Sequence, residues 1–472
     1  MRRKRSIIAL AVALILLVGA YVFLSNRPKE EEVPEDTTPA AIDISKLDKE
    51  TIVKISLTNE SGDITFEKND EEWINTKPYP VKLAQSTVDD LSRSFTALTA
   101  DVVVEEEPSD LSIYGLKDPV VKGEAELKDG TKVVLNLGNK TAEGSTYYLM
   151  KEGDPKVYTV WSSYGQKLSS SLSDFRDKTL TQINLAEMSY LYMAKEGQKE
   201  IEIVTSEEQT EDQVQYRLGL YEMVKPYKQP RGIDSTKLDE KLKGLPNLVI
   251  KDFADDNPTD LSVYGLDKPV MQFIIKDSAN ILDLAFGNTL DDGTIYFKTA
   301  DSDAVYTMDK AQLDFMNTKP MEIMERFSYI VNIDSVDKVV IEGRGETHTL
   351  SMTRATEKAK EEGKEDEVIT TYFLDGEEKK EDAFKDFYQS LIGTYVDTDK
   401  THEPQGEAEV KLTYYLNRGA ERKVIVEYVP YDRDFYSLVL KGESESEFLV
   451  ARNRIDWVFE DLDVLIASKL EK

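Results

Sequence analysis

The segment Asp110-Leu-Ser-Ile-Tyr-Gly-Leu-Lys-Asp-Pro-Val120 returns 150 residues later as Asp260-Leu-Ser-Val-Tyr-Gly-Leu-Asp-Lys-Pro-Val270, with eight of eleven positions identical. The likeness continues in the same order. Leu135-Asn-Leu-Gly-Asn139 is matched by Leu284-Ala-Phe-Gly-Asn288, Gly144 and Tyr147 by Gly293 and Tyr296, Val157-Tyr-Thr159 by Val305-Tyr-Thr307, and Asp174-Phe175 by Asp314-Phe315. Ordered matches at a nearly constant offset signify a duplicated unit, so the body must be tandem copies of one module. A degenerate third copy is expected over 332–472. There, 381–392 takes the place of 87–98 and 235–245, and 435–439 with 447–450 echo the closing strands of the earlier copies. The Tyr-Gly-Leu element is missing from it, and Thr401-His-Glu-Pro404 stands instead.

Each copy has the same coarse grammar. Residues 52–57 and 63–68 alternate apolar and polar side chains, as 339–343 do more weakly, which predicts opening strands. An amphipathic helix follows. Val88, Leu91, Phe95 and Leu98 recur at spacings of three and four, with Ser86 or Thr87 the expected N-cap. The second copy has Leu238, Leu242 and Leu245 after Asp234; the third has Phe384, Phe387 or Tyr388, and Leu391. Short strands are expected at 123–128, 132–137, 146–151 and 157–160, with Asp129-Gly130 a hairpin turn between the first two. The pattern predicts an α+β fold: repeated modules, each an antiparallel twisted sheet with one covering helix. Acidic stretches at 206–213 and 357–366 read as solvated loops.

The N-terminus adds an anchor. Residues 6–24 (SIIALAVALILLVGAYVFL) carry no charge and, as a helix, would span about 28 Å, near the thickness of a bilayer's hydrocarbon core. Arg2, Arg3, Lys4 and Arg5 precede them and an acidic stretch follows, so the expected orientation is N-terminus inside and body outside. The run is longer than the apolar core of a signal peptide and lacks a clear small-residue cleavage site, which favours an uncleaved signal anchor. Residues 25–43, with Pro28, Pro34 and Pro39, read as an extended linker able to reach roughly 60 Å. The expected order is therefore 1–24 basic residues and anchor, 25–43 linker, 44–184 module 1, 185–331 module 2 and 332–472 module 3.

Composition narrows the chemistry. Beyond position 5 there remain 55 basic against 90 acidic residues and no basic stripe, which argues against nucleic-acid binding. Without cysteine there is no disulfide, thiolate nucleophile or zinc–thiolate site. His348 reads as an exposed strand residue, and His402, beside Glu403 and Asp399, as a loop residue. Asp255-Asp256-Asn257 with Asp260, and Asp291-Asp292, lack the spacing of an EF-hand and read as turn or cap residues. No glycine pattern of a phosphate cradle is present. Trp73, Trp161 and Trp457 are expected to pack near module boundaries. Neither cofactor nor metal nor catalytic residue is expected. The singled-out positions are Tyr114, Gly115, Leu116 and Pro119 with Tyr264, Gly265, Leu266 and Pro269. They read as tight loops whose Leu plugs the core and whose Tyr hydroxyl bonds the backbone. A paired aromatic surface for a glycan or peptide is the sharper alternative.

The Tyr-Gly-Leu-x-x-Pro segments, each after a helix and before a Leu-Gly-Asn-type strand, resemble the bacterial DUF4340 family. So do Trp73-Ile74-Asn75 with Pro78, and the 174–180 ending DFRDKTL. The resemblance covers roughly 70–320. It implies one N-terminal membrane helix, an extracytoplasmic repeat region and occurrence beside ABC-type transporter components of the kind linked to gliding motility. It brings no catalytic residues. The combined expectation is a non-enzymatic extracytoplasmic binding or scaffold protein in the cell membrane, accessory to an ABC-type transporter or envelope complex. A cell-wall polysaccharide or peptidoglycan binder, and a hydrolase whose carboxylates converge only in the fold, are the competing expectations.

Overall fold

The computed structural model describes residues 42–48, 51–206, 219–357, 367–419, 422–440 and 442–470. The expected membrane span at 6–24, the linker up to residue 41 and most of both acidic stretches lie outside them. Among the described residues no helix is long and apolar enough to cross a membrane. The chain divides into two compact units, Met1–Asp177 and Lys178–Lys472.

The first unit holds module 1. Its elements are β1 (Ile42–Asp43), β2 (Ile52–Asn59), β3 (Gly62–Asn69), β4 (Glu72–Lys77), helix α1 (Gln85–Thr96), β5 (Thr99–Ala100), β6 (Val102–Glu105), β7 (Val121–Leu127), β8 (Lys132–Lys140), β9 (Thr146–Lys151), β10 (Val157–Trp161), α2 (Ser162–Leu168) and α3 (Leu172–Phe175). Eight strands form one antiparallel sheet in the order β4-β3-β2-β7-β8-β9-β10-β6. Alternation sets which face is buried: Val121, Ala125 and Leu127 of β7 point inward. Asp129-Gly130 makes the expected hairpin, with Glu126 opposite Lys132 and Gly130 at φ +82°. On α1, Val88, Leu91 and Phe95 are fully buried, each contributing about 1.5–3 kcal/mol over an exposed position.

Two expectations are corrected here. Ile42 and Asp43 end the expected linker, yet they form β1 and pair with Ala100 and Thr99. The helix N-cap is Ala84 rather than Ser86 or Thr87. Tertiary contacts fix that start. The Gln85 side chain accepts from Trp73 N (2.7 Å) and donates to Trp73 O (2.9 Å), and Ala84 N donates to Phe175 O (2.9 Å).

The second unit holds two sheets around a continuous core. Module 2 runs β11 (Tyr190–Lys195), β12 (Ile201–Thr205), β13 (Tyr221–Lys225), β14 (Arg231–Gly232), α4 (Ser235–Leu242), β15 (Asp252–Asp255), β16 (Met271–Lys276), β17 (Ile281–Thr289), β18 (Thr294–Thr299), β19 (Val305–Asp309) and α5 (Pro320–Ile323). Module 3 runs β20 (Val336–Gly343), β21 (Glu346–Glu357), β22 (Glu367–Leu374), β23 (Glu377–Lys379), α6 (Glu381–Ile392), β24 (Thr398–His402), β25 (Val410–Leu416), β26 (Lys423–Pro430), β27 (Phe435–Leu440), β28 (Ser446–Ala451) and α7 (Arg452–Ala467). Their orders, β14-β13-β12-β11-β16-β17-β18-β19-β15 and β23-β22-β21-β20-β25-β26-β27-β28-β24, correspond strand for strand. The fold is thus α+β, built of repeated antiparallel modules. Asp234 caps α4 through Lys237 N (3.2 Å), and α6 buries Phe384, Phe387, Tyr388 and Leu391 together.

Modules 1 and 3 depart from the expected single helix: in module 1 α2 packs beside α1, and in module 3 α7 packs beside α6. Lys379 closes its carboxyl end: the side chain is 1% exposed, and Nζ donates to Ile466 O (3.1 Å) and Ser468 O (3.0 Å). The tryptophans also divide. Trp73 is buried, its Nε1 donating to Asp89 (2.8 Å), whereas Trp161 and Trp457 are each half exposed, against expectation. Trp161 is the N-cap of α2, and Trp457 lies off the face of α7 that buries Ile455, Val458, Phe459, Leu462 and Leu465.

Candidate functional site

Both Tyr-Gly-Leu segments fold into the same corner. A 3-10 turn at Leu111–Tyr114 is opened by Asp110, whose Oδ1 accepts from Ser112 N (2.9 Å) and Ser112 Oγ (2.6 Å). Asp260 does the same to Ser262, at 2.9 and 2.6 Å, before Leu261–Tyr264. These bonds hold both Asp carboxyls below the usual carboxylate range. Gly115 and Gly265 then turn the chain at φ +69° and +71°, where a side chain is strained. The turn closes through Leu116 N to Leu111 O and Leu266 N to Leu261 O, both 3.0 Å. Leu116 and Leu266 enter the interior. Pro119 and Pro269, lacking an N–H, lead the chain out toward β7 and β16.

The tyrosine hydroxyls correct one expectation: they bond carboxylates rather than backbone. Tyr114 OH donates to Glu105 Oε2 (2.7 Å) and Tyr264 OH to Asp255 Oδ2 (2.8 Å). Each ring stands edge-on to a second tyrosine, Tyr148 or Tyr296, with centroids 5.0 Å apart. The hydrogen bond to an ionised carboxylate raises both phenol pKa values.

The Leu-Gly-Asn strands are the other half of the corner. A Cβ on Gly138 would collide with the Tyr114 carbonyl oxygen, and one on Gly287 with that of Tyr264. In the other direction, Gly115 lies against Asn139 and Gly265 against Asn288, leaving no space for a side chain. Two glycines per module therefore let two backbones touch. Both motifs stand out in the sequence, but nothing in their spacing shows that they pack on each other.

The remaining candidates are taken up in the fold. His348 lies on β21 and is largely covered; its ring nitrogens are 2.8 Å from Asp375 and 3.2 Å from Glu346. His402 is on edge strand β24 rather than in a loop, with Nδ1 2.8 Å from Lys400 O and Nε2 2.7 Å from Ser437 Oγ. Thr401 shares that strand, so the 401–404 segment is a strand end rather than a corner. Asp255 also accepts from Asn257 N (2.9 Å), and Asp292 from Thr294 N (3.0 Å), as turn residues do. Among the described residues no group of three or more His, Cys, Asp or Glu is placed to hold a metal ion.

Two features had no sequence signal. Asp277 accepts from Asn184 N (2.8 Å), Ala279 N (2.7 Å) and Asn280 N (2.6 Å), which draws its pKa down to about 2. Modules 2 and 3 are also clasped. Lys199 Nζ and Tyr227 OH both donate to Asp399 at 3.0 Å, and Lys228 N donates to Glu447 at 3.1 Å. Arg231 lies buried with its guanidinium 4.3 Å from the Phe448 ring centroid, and desolvation lowers its pKa to about 10.

The duplicated corners decide the family. A family model, Domain of unknown function (DUF4340), matches residues 73–256 and again 222–400, together more than half of the chain. The chain belongs to the DUF4340 family. Both DUF4340 matches start on corresponding strands, β4 and β13; the first ends one residue past edge strand β15 and the second on the corresponding edge strand β24, so the first spans the Tyr114 corner and the second the Tyr264 corner. No curated protein matches the chain, and no solved structure does.

Proposed function

We propose that this DUF4340 protein is a non-enzymatic scaffold, held by residues 6–24 in the cell membrane with its sheet modules on the extracytoplasmic side. It serves there as an accessory subunit of an ABC-type transporter or envelope complex. The observation that carries the reading is that Tyr114 and Tyr264, with Asp110 and Asp260, make the same internal hydrogen bonds in both copies. Groups engaged identically inside two modules support an architectural role for the corners over glycan stacking, which needs a free aromatic face. The uncharged run at 6–24 behind Arg2–Arg5 supports the anchor. Open edge strands and loops supply protein-binding surface.

Crosslinking in the native membrane, with identification of the joined proteins, tests this reading. A permease or ATPase subunit joined to the body supports it. Retention of the body on isolated cell wall, abolished by Tyr114→Ala with Tyr264→Ala, would replace it with polysaccharide binding. Protease added to intact cells that leaves the body untouched would overturn the orientation.

A further inference from the structure

Among the described residues, His348 is the one imidazole with a carboxylate at each ring nitrogen. Nδ1 is 2.8 Å from Asp375 Oδ2, and Nε2 is 3.2 Å from Glu346 Oε2. A neutral imidazole has a single N–H and would set its free lone pair against one of those carboxylates; only the imidazolium donates to both. The charged groups facing the ring are Glu346 on its own strand and Asp375 from the β22–β23 turn, while the residue opposite on β20 is Ile341. Burial works against the charged ring, and the hydrogen bonds and charges of Asp375 and Glu346 outweigh it, so the pKa is raised.

The ring holds a turn that leans on it. Asp375 sits at φ +51°, a left-handed conformation costing a non-glycine residue about 1 kcal/mol. It is fixed from two sides: Asp375 Oδ1 accepts from Thr349 N (2.7 Å), and Asp375 N donates to Thr349 O (2.9 Å). Two residues on begins β23, three residues long, whose last member is Lys379. The Lys379 ammonium is bonded to Glu377 (3.0 Å) and to the carbonyls of Ile466 and Ser468 at the end of α7. Imidazolium, turn, lysine and helix end therefore stand in series.

We infer that His348 is a pH-operated clip on the C-terminal helix: when the ring loses its proton it keeps one N–H, gives up the bond to Glu346 and loses the charge that strengthens its bond to Asp375, so the Asp375 turn loosens, Lys379 loses its registration, and the last turn of α7 is released. The clip is fully closed below the ordinary imidazole value of about 6.5 and opens as pH rises through the higher folded-state value. This inference goes beyond the scaffold reading and does not depend on it.

The test uses the full chain in detergent micelles. The chain has only two histidines, so the imidazole NMR signals are few, and either His348→Gln or Asp375→Asn identifies those of His348. The expected result is a His348 midpoint above the ordinary value, lowered in Asp375→Asn. Amide protection factors over 464–468 should fall at least about threefold across that titration in the wild type and stay level in His348→Lys, which keeps a cation between the carboxylates. A midpoint at or below the ordinary value overturns the inference. So does protection that stays level in the wild type, or that falls equally in His348→Lys.

Discussion

Modules 2 and 3 share a strand order and a core, yet they close their sheets differently. In module 2 the chain passes from edge strand β15 to central strand β16 through the Tyr264 corner, residues 256–270; in module 3 residues 403–409 suffice. Register aligns the two. Phe286 pairs with Met271 as Tyr428 pairs with Val410, so Gly287-Asn288 corresponds to Val429-Pro430. Phe297 pairs with Phe286 as Leu438 pairs with Tyr428, so Tyr296 corresponds to Ser437. Where the corner is absent, the glycine that admits its carbonyl, the asparagine under its turn and the tyrosine beside its ring are all absent. Module 3 fills the place with other bonds: His402 to Ser437 (2.7 Å), and Tyr436 OH and Arg452 Nη1 both to Glu409 (2.9 Å). The corner is one physical object written in two separated stretches of sequence.

Substitutions that exchange the two solutions should sharpen this contrast. The largest effect is expected from Gly287→Val, which puts the module 3 residue under the Tyr264 carbonyl; about 3 kcal/mol or more should be lost in denaturant unfolding. Leu266→Ala removes the side chain the corner inserts and should cost about 2–4 kcal/mol by the same measurement. The reverse exchange in module 3, Val429→Gly, empties a buried position that no corner covers and should cost about 1–3 kcal/mol.

A further contrast lies at the turn after the central strand, where module 2 has Asp277 and module 3 has Asn417, whose Nδ2 donates to Asp334 O (2.8 Å). With its folded pKa held at about 2, Asp277 stabilises above the ordinary aspartate value of about 4, and the effect is lost as pH falls through about 2. Asp277→Asn should therefore lower the melting temperature at neutral pH and leave it unchanged below pH 2, while Asn417→Ala shows no such pH dependence. The smallest effect belongs to Ile113→Asn and Val263→Asn. Both sites lie two-thirds exposed on the corners, and stability should move by no more than about 0.5 kcal/mol.

Much of the fold is legible along the chain because its signals are local. The 3–4 spacing of Val88, Leu91 and Phe95 marks the helix face, Asp129-Gly130 marks a hairpin, and the recurrence of Asp-Leu-Ser-x-Tyr-Gly-Leu marks the repeat. What escaped is pairwise and distant. Gln85 reaching back to Trp73 moves the helix start, and Ile42 gains a strand partner only at Ala100. The corner itself is half legible: Leu116 and Leu266 go inward as their pattern implies, but the carboxylates under Tyr114 and Tyr264 come from an edge strand nine residues upstream. No periodicity encodes a contact between a tyrosine carbonyl and a glycine on another strand.

A double-mutant cycle measures that contact most directly: Gly287→Val in the native module 2, and again in a module 2 whose residues 256–270 are replaced by residues 403–409. If corner and glycine form one unit, the valine is costly beside the corner and nearly neutral without it, a coupling of about 2 kcal/mol or more. An equal cost on both backgrounds would mean that the glycine answers to something else, and that the Tyr264 corner does not brace the sheet.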